Sequence, residues 1–237
     1  VTAETHRLPP GSAGPFAGTE LWLADLASCG PALQAIEEAR SLLPPECAAW
    51  DRNRRLAHIA LRLLIARSGT NARGLPFAVS NAGKPSLPGA AHFSLSHTGD
   101  YALIGLSRAG PLGVDVEIEG RTVRMSEERR ERLRAAGARL AIGPLAPGAA
   151  GLLQAFVRME AFAKAEGSGL ARLLGTLGVL GRGTSTAANP DLAAFAVGDL
   201  RLGHGLIGAV ALPRGVPAPK PALLPADRAE IERVAAG

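Results

Sequence analysis

Two extended runs, "HFSLSH" (92–97) and "YALIGLS" (101–107), are separated only by "TGD". A connection that short permits an antiparallel hairpin and nothing else, because parallel strands need a crossover of about a dozen residues or more. "LGVDVEIE" (112–119) follows "RAGP" and reads as a third strand of the same kind. "ELWLADLA" (20–27) alternates well enough for a further strand, and "LPFAVSNAGKPSLP" (75–88) reads as a short strand leading into a Gly83-Lys84-Pro85 turn.

Segments of helical period stand between these strands. "PALQAIEEARSLL" (31–43) ends at Pro44 and Pro45, and in "DRNRRLAHIALRLLIARSG" (51–69) Leu56, Ile59, Ala60, Leu63 and Leu64 form one stripe. Arg54, Arg55, His58 and Arg62 share the opposite arc of about 100°, which predicts a basic helix face. "MSEERRERLRAAGARLA" (125–141) is a charged helix. "LLQAFVRMEAFAKAEG" (152–167) packs Leu152, Phe156, Met159 and Ala163 inward, with Glu160 and Lys164 on its polar side. "DLAAFAVGDLRL" and "GLIGAVALP" close the series as strands, the second repeating the "LIG" of 103–105 at 206–208.

Strands and helices mixed in this order predict an α+β fold. At 237 residues the chain suits two small lobes better than one core. We expect residues 1–18 to be a flexible tail, 19–118 an N-terminal half, 119–214 a C-terminal half and 215–237 a Pro-rich C-terminal extension with one short helix.

The formal net charge of +5 favours a polyanionic partner: nucleic acid, phosphates or an acidic protein surface. Two cysteines, Cys29 and Cys47, are too few and too far apart for a zinc cluster or disulfide framework, which suits a reducing cytoplasm. No apolar run reaches membrane-spanning length and no hydrophobic signal segment opens the chain. G-x-x-x-x-G-K-[ST] and G-x-S-x-G are absent, "GSGLAR" fails the dinucleotide pattern, and the strands carry few aromatics for base stacking.

On a strand, residues i and i+2 share a face, so Asp115 and Glu117 present two carboxylates side by side. Hard oxygens so paired suit Mg²⁺ with phosphate oxygens completing its shell. Taken singly, these acids could be solvent-facing, Ser96 and His97 could be turn residues, and Glu160 with Lys164 could be an exposed i, i+4 pair. Their order along the chain argues for more.

"GKP" (83–85), "FSLSHTG" (93–99), "GVDVE" (113–117) and "FVRMEAFAKAEGSGL" (156–170) together resemble the surfactin-synthetase-activating type of 4'-phosphopantetheinyl transferase. The last of these is similar to the family's W-x-x-K-E-x-x-x-K-x-x-G-x-G-L, and Asp115 and Glu160 stand 45 residues apart (160 − 115), as in that family. The resemblance implies two similar halves in pseudo-twofold arrangement, each a small sheet packed against a long helix, in a cytoplasmic monomer. It implies transfer of phosphopantetheine from coenzyme A to a serine of an acidic acyl or peptidyl carrier protein, with no nucleic acid or membrane as partner. By position, Asp115, Glu117 and Glu160 would hold Mg²⁺. Lys84, Ser96 and His97, with an arginine of the 51–69 helix such as Arg54 or Arg62, would bind the nucleotide and its 3'-phosphate. Lys164 would bind the pyrophosphate, and Glu160 is the favoured proton acceptor.

The chain departs from the family pattern at three places: Phe156 replaces tryptophan, Met159 replaces lysine, and Asn53 stands where arginine is expected, beside Arg54 and Arg55. Met159 motivates a second reading, a catalytically impaired module that binds coenzyme A or a carrier protein. The basic charge motivates a third, a nucleic-acid-binding protein. From the 4, 3, 4 register, Met159 is expected at the edge of the core, where lysine would add charge to the site and speed transfer.

Overall fold

A computed structural model describes residues 18–141, 143–181 and 191–236. The tail expected over residues 1–18 therefore lies, up to residue 17, outside the described residues. The fold is mixed α+β: nine short or medium strands and six α-helices are described, divided between two compact units. Among the described residues, no helix is long and apolar enough to cross a membrane.

Among the described residues, the first unit comprises 18–79, 85–109 and 219–236. Strand β1 (Thr19–Asp25) feeds directly into α1 (Leu26–Arg40), whose N-terminus is capped by Asp25 accepting from the N–H groups of Ala27 and Ser28. This cap starts the helix before Pro31, which the sequence reading takes as the first helical residue; proline inside costs a backbone donor but the surrounding turn is otherwise supported. Glu37 closes the far end, its carboxylate accepting from Leu42 N–H at 2.8 Å and Leu43 N–H at 3.2 Å. After a 3₁₀ turn (Pro45–Ala49), Asp51 caps α2 (Arg52–Ala66) by accepting from Arg54 N–H.

A two-residue hairpin, β2 (Ala78–Val79) with β3 (Pro85–Ser86), precedes β4 (His92–Thr98) and β5 (Tyr101–Ser107). The last two pair antiparallel in the register His97↔Ala102 and Phe93↔Leu106; Thr98 belongs to the strand and pairs with Tyr101, so the turn is the two residues Gly99 and Asp100 rather than all of "TGD". Asn53 of α2 ties that turn down, donating to Gly99 O and Asp100 Oδ1, both at 2.9 Å. So the asparagine at the position where the resemblance implies an arginine holds the hairpin.

The C-terminal segment is not an appended extension. Its β9 (Ala222–Leu223) pairs parallel to β1, completing a sheet of order β4-β5-β1-β9, and α6 (Arg228–Ala236) packs on α1 and α2 through Ile231. Enclosed by α1, α6 and the sheet, α2 is buried from Leu56 to Ile65 on nearly every side except at His58. The basic arc expected on it is therefore solvated only toward its start: Arg54 is exposed, Arg55 and His58 are half-buried, and Arg62 is only 2% exposed.

Among the described residues, the second unit comprises 80–84, 110–141, 143–181 and 191–218. Its sheet runs β6-β8-β7, all antiparallel, from β6 (Gly113–Ile118), β7 (Phe195–Leu200) and β8 (Leu206–Pro213). The strand "LGVDVEIE" thus leaves the hairpin that precedes it, and the division falls at 109/110 rather than 118/119. Gly110 at φ +137 and Pro111, which has no N–H to offer a ladder, end the first sheet's chain there.

Helix α4 (Gly148–Glu166) lies on all three strands and is flanked by α3 (Glu127–Leu140) and α5 (Leu170–Thr176). Two glycines set its depth. A Cβ on Gly113 would stand 2.0 Å from Ala161 O and 2.5 Å from Ala165 N, and one on Gly137 would stand 2.6 Å from Ala155 Cα. Arg158 is fully buried and locks α4 to β7 through a bidentate pair with Asp199 (2.8 and 2.6 Å), while donating to the Gly137 and Gly143 carbonyls.

Candidate active site

In the second unit, the close seating of α4 against β6 at Gly113 brings one turn of helix to the two acids of the strand. Lys164 Nζ donates to Asp115 Oδ1 at 2.7 Å and to Val114 O at 3.2 Å. The i, i+4 partner expected for it, Glu160, is instead an electrostatic neighbour: its carboxyl is raised above the usual range by burial and by the Asp115 charge, opposed by Lys164 and Arg121. Glu117 forms an ion pair with Arg121. Asp115 and Glu117 are only 3% and 9% exposed, so both acids of the strand are inside the protein rather than solvent-facing.

These are hard oxygen donors on one strand and one helix turn, and that set suits a small divalent cation. Among the described residues, no three His, Cys, Asp or Glu side chains converge as a metal-holding group. Asp115 and Glu117 are each paired with a cationic side chain. The donor chemistry fits Mg²⁺, and the local field already demands positive charge.

Lys84 also belongs to this unit. Its Nζ donates to Ala165 O at 2.7 Å and Leu112 O at 3.4 Å, closing the C-terminus of α4, and burial pushes its pKa down to about 8.

The first unit holds the other expected residues in a ladder of rings and cations. The Arg54 guanidinium lies 4.2 Å from the Trp50 ring centroid, Trp50 is 4.5 Å from His58, His58 is 6.3 Å from Phe77, and the Arg62 guanidinium is 4.3 Å from Phe77. His97 is exposed on β4, on the face shared with Phe93 and Leu95, and its charge acts on Asp51 and His58. Ser96, one residue earlier, is buried on the opposite face. The structure thus gathers Arg54, His58 and His97 near the start of α2, whereas Ser96 points away from His97 and Arg62 donates to Ala72 O beneath the surface.

His58 makes this ladder pH-sensitive. Burial, followed by Arg54, Arg62 and His97, pushes its pKa down to about 4, and among the described residues its Nδ1 has no hydrogen-bond partner. Below pH 6.5 the unfolded chain takes up a proton that the folded protein refuses, so this residue's contribution to stability is lost as pH falls from 6.5 toward about 4. His58→Phe should flatten the dependence of the urea midpoint on pH across that window. An identical slope in both proteins would remove His58 as its source.

Two participants have no clear signal in the sequence. Arg121 follows the strand by a turn, where no periodicity predicts its return to Glu117, and Trp50 lies in a loop before α2. No protein-family model matches the chain, and no curated protein matches it.

Proposed function

We propose that this protein is a cytoplasmic 4'-phosphopantetheinyl transferase, built from two similar halves, that modifies a serine of an acidic acyl or peptidyl carrier protein. The observation that carries the reading is the junction of "GVDVE" with "FVRMEAFAK": Lys164 on Asp115, with Glu160 within electrostatic reach of both. Acids and lysine 45 or more residues apart in sequence meet at one place, in the order the resemblance requires.

In this reaction the carrier serine oxygen forms a bond to the phosphorus bearing pantetheine, and the bond from that phosphorus to the leaving nucleotide phosphate breaks. Asp115, Glu117 and Glu160 would hold Mg²⁺, which supplies neutralisation of the pyrophosphate charge when bound. Glu160, with its raised pKa, is suited to accept the serine proton. Lys164, with its side chain 31% exposed, can offer Nζ to a phosphate oxygen as well as to Asp115. His97, exposed and near Arg54, suits a phosphate monoester such as the 3'-phosphate of coenzyme A.

The test is incubation of the full chain with coenzyme A, Mg²⁺ and apo carrier proteins of fatty-acid, polyketide and peptide type, followed by mass spectrometry. A phosphopantetheine adduct on the carrier serine is the expected result. Coenzyme A binding without an adduct on any carrier would replace this reading with that of a binding module.

A further inference from the structure

The turn that ends β6 returns an arginine to the strand's own carboxylate. Gly120 adopts φ +91 and Arg121 N–H donates to Ile118 O at 3.1 Å, which reverses the chain and lays the Arg121 guanidinium on Glu117. The same guanidinium stands 5.4 Å from the Phe156 ring centroid on α4, and its charge also acts on Glu160. Arg121 therefore serves two of the three acids, and Lys164 likewise pairs with Asp115 and acts on Glu160.

Among the described residues of this cluster, three carboxylates are met by two monovalent cations. A divalent cation entering the cluster reverses the sign of its net charge and repels both. The two are not equally able to leave. Lys164 is tied by two hydrogen bonds, whereas the Arg121 side chain is 49% exposed and holds a Glu117 side chain that is itself only 12% exposed. The guanidinium can turn into water, while the carboxylate cannot follow it.

We propose that Arg121 is a displaceable counter-ion, holding Glu117 until a divalent cation takes that carboxylate and then turning its guanidinium to the phosphate oxygens of the pyrophosphate. This rests on the transferase reading for the identity of the anion. A planar guanidinium with a fork of donors suits phosphate oxygens, and Phe156 gives it a surface to pivot on.

The experiment is calorimetric titration of the full chain, wild type against Arg121→Gln, first with Mn²⁺ and then with inorganic pyrophosphate at saturating Mn²⁺. Arg121→Gln should bind Mn²⁺ several-fold tighter and pyrophosphate about tenfold more weakly, the loss of one charge-assisted contact. Arg121→Lys, which keeps the charge, should stay near wild type for Mn²⁺.

Unchanged or weaker Mn²⁺ binding in Arg121→Gln overturns the proposal, as does an absence of Mn²⁺ binding to either protein. Tighter Mn²⁺ with unchanged pyrophosphate also overturns it, since that is what a merely repelling charge would give. Adduct formation by the wild type judges the transferase reading separately. Adduct formation together with unmoved titrations would sink the role of Arg121 alone.

Discussion

Met159→Lys should destabilise the second unit by roughly 3–5 kcal/mol, the scale of an ion buried without a partner. Met159 is 0% exposed and belongs to a core cluster with Leu133, Val157, Phe162 and Val197. These core neighbours are apolar, so a lysine there must lose its proton, force its way to the surface or open the packing. Urea unfolding monitored by circular dichroism measures the loss, with Met159→Leu as the volume-conserving control expected to stay within about 1.5 kcal/mol. A Met159→Lys protein within about 1 kcal/mol of wild type, far short of the cost of a buried ion, would show that the side chain reaches solvent after all. This reverses the sequence expectation, in which Met159 sits at the rim of the site and lysine there raises the transfer rate. Arg158 has no charge to lend the site either, because its guanidinium is committed to Asp199 and the carbonyls around it.

The sequence pattern misplaces Met159 because periodicity reports one stripe, and α4 has no single stripe. The 4, 3, 4 spacing of Leu152, Phe156, Met159 and Ala163 is real. Yet Leu153, Val157 and Ala161 on other sides of the helix are buried too, while Phe156 is only partly so. A helix enclosed by a sheet on one side and helices on others is apolar nearly all round, which a two-sided reading cannot represent. The same enclosure hides Arg62 on α2. By contrast, the β4–β5 hairpin is legible to within one residue, Thr98 joining the strand instead of the turn, because a short turn fixes register locally. The placement of β6, and the return of residues 219–237 to pair beside β1, depend on contacts between distant segments that no local pattern encodes. At the site, the acids and Lys164 are legible as types and spacing. Their pairing is not: whether Lys164 reaches Glu160 or Asp115 is decided by how closely Gly113 lets α4 approach.

Asp115→Asn should lower the rate of carrier modification by about 10²–10³, the range found when one group that stabilises transition-state charge is removed. Asparagine is the informative replacement here. Asp115 is buried, and its Oδ1 accepts from Lys164 at 2.7 Å. Alanine would therefore empty a packed position and leave the ammonium with Val114 O alone. An asparagine side chain would keep the volume and an acceptor oxygen for Lys164 while deleting the negative charge. The stability change should be small, because the Lys164 side chain is 31% exposed and can be solvated. Loss of that charge should act twice. It takes one negative charge from the set proposed for Mg²⁺, and it lowers the carboxyl of Glu160 toward its ordinary range, since the Asp115 charge is one of the two causes that raise it. With Glu160 as proton acceptor, the acidic limb of the pH–rate profile should shift to lower pH, because the neighbouring charge is lost whatever else Asp115 does. Initial rates of adduct formation at saturating coenzyme A and Mg²⁺, taken from about pH 5 to about pH 8 with a urea midpoint for each protein, measure both effects. A folded Asp115→Asn protein within about tenfold of wild type, with an unmoved acidic limb, would remove Asp115 from the catalytic cluster and leave its pair with Lys164 as a tie between β6 and α4.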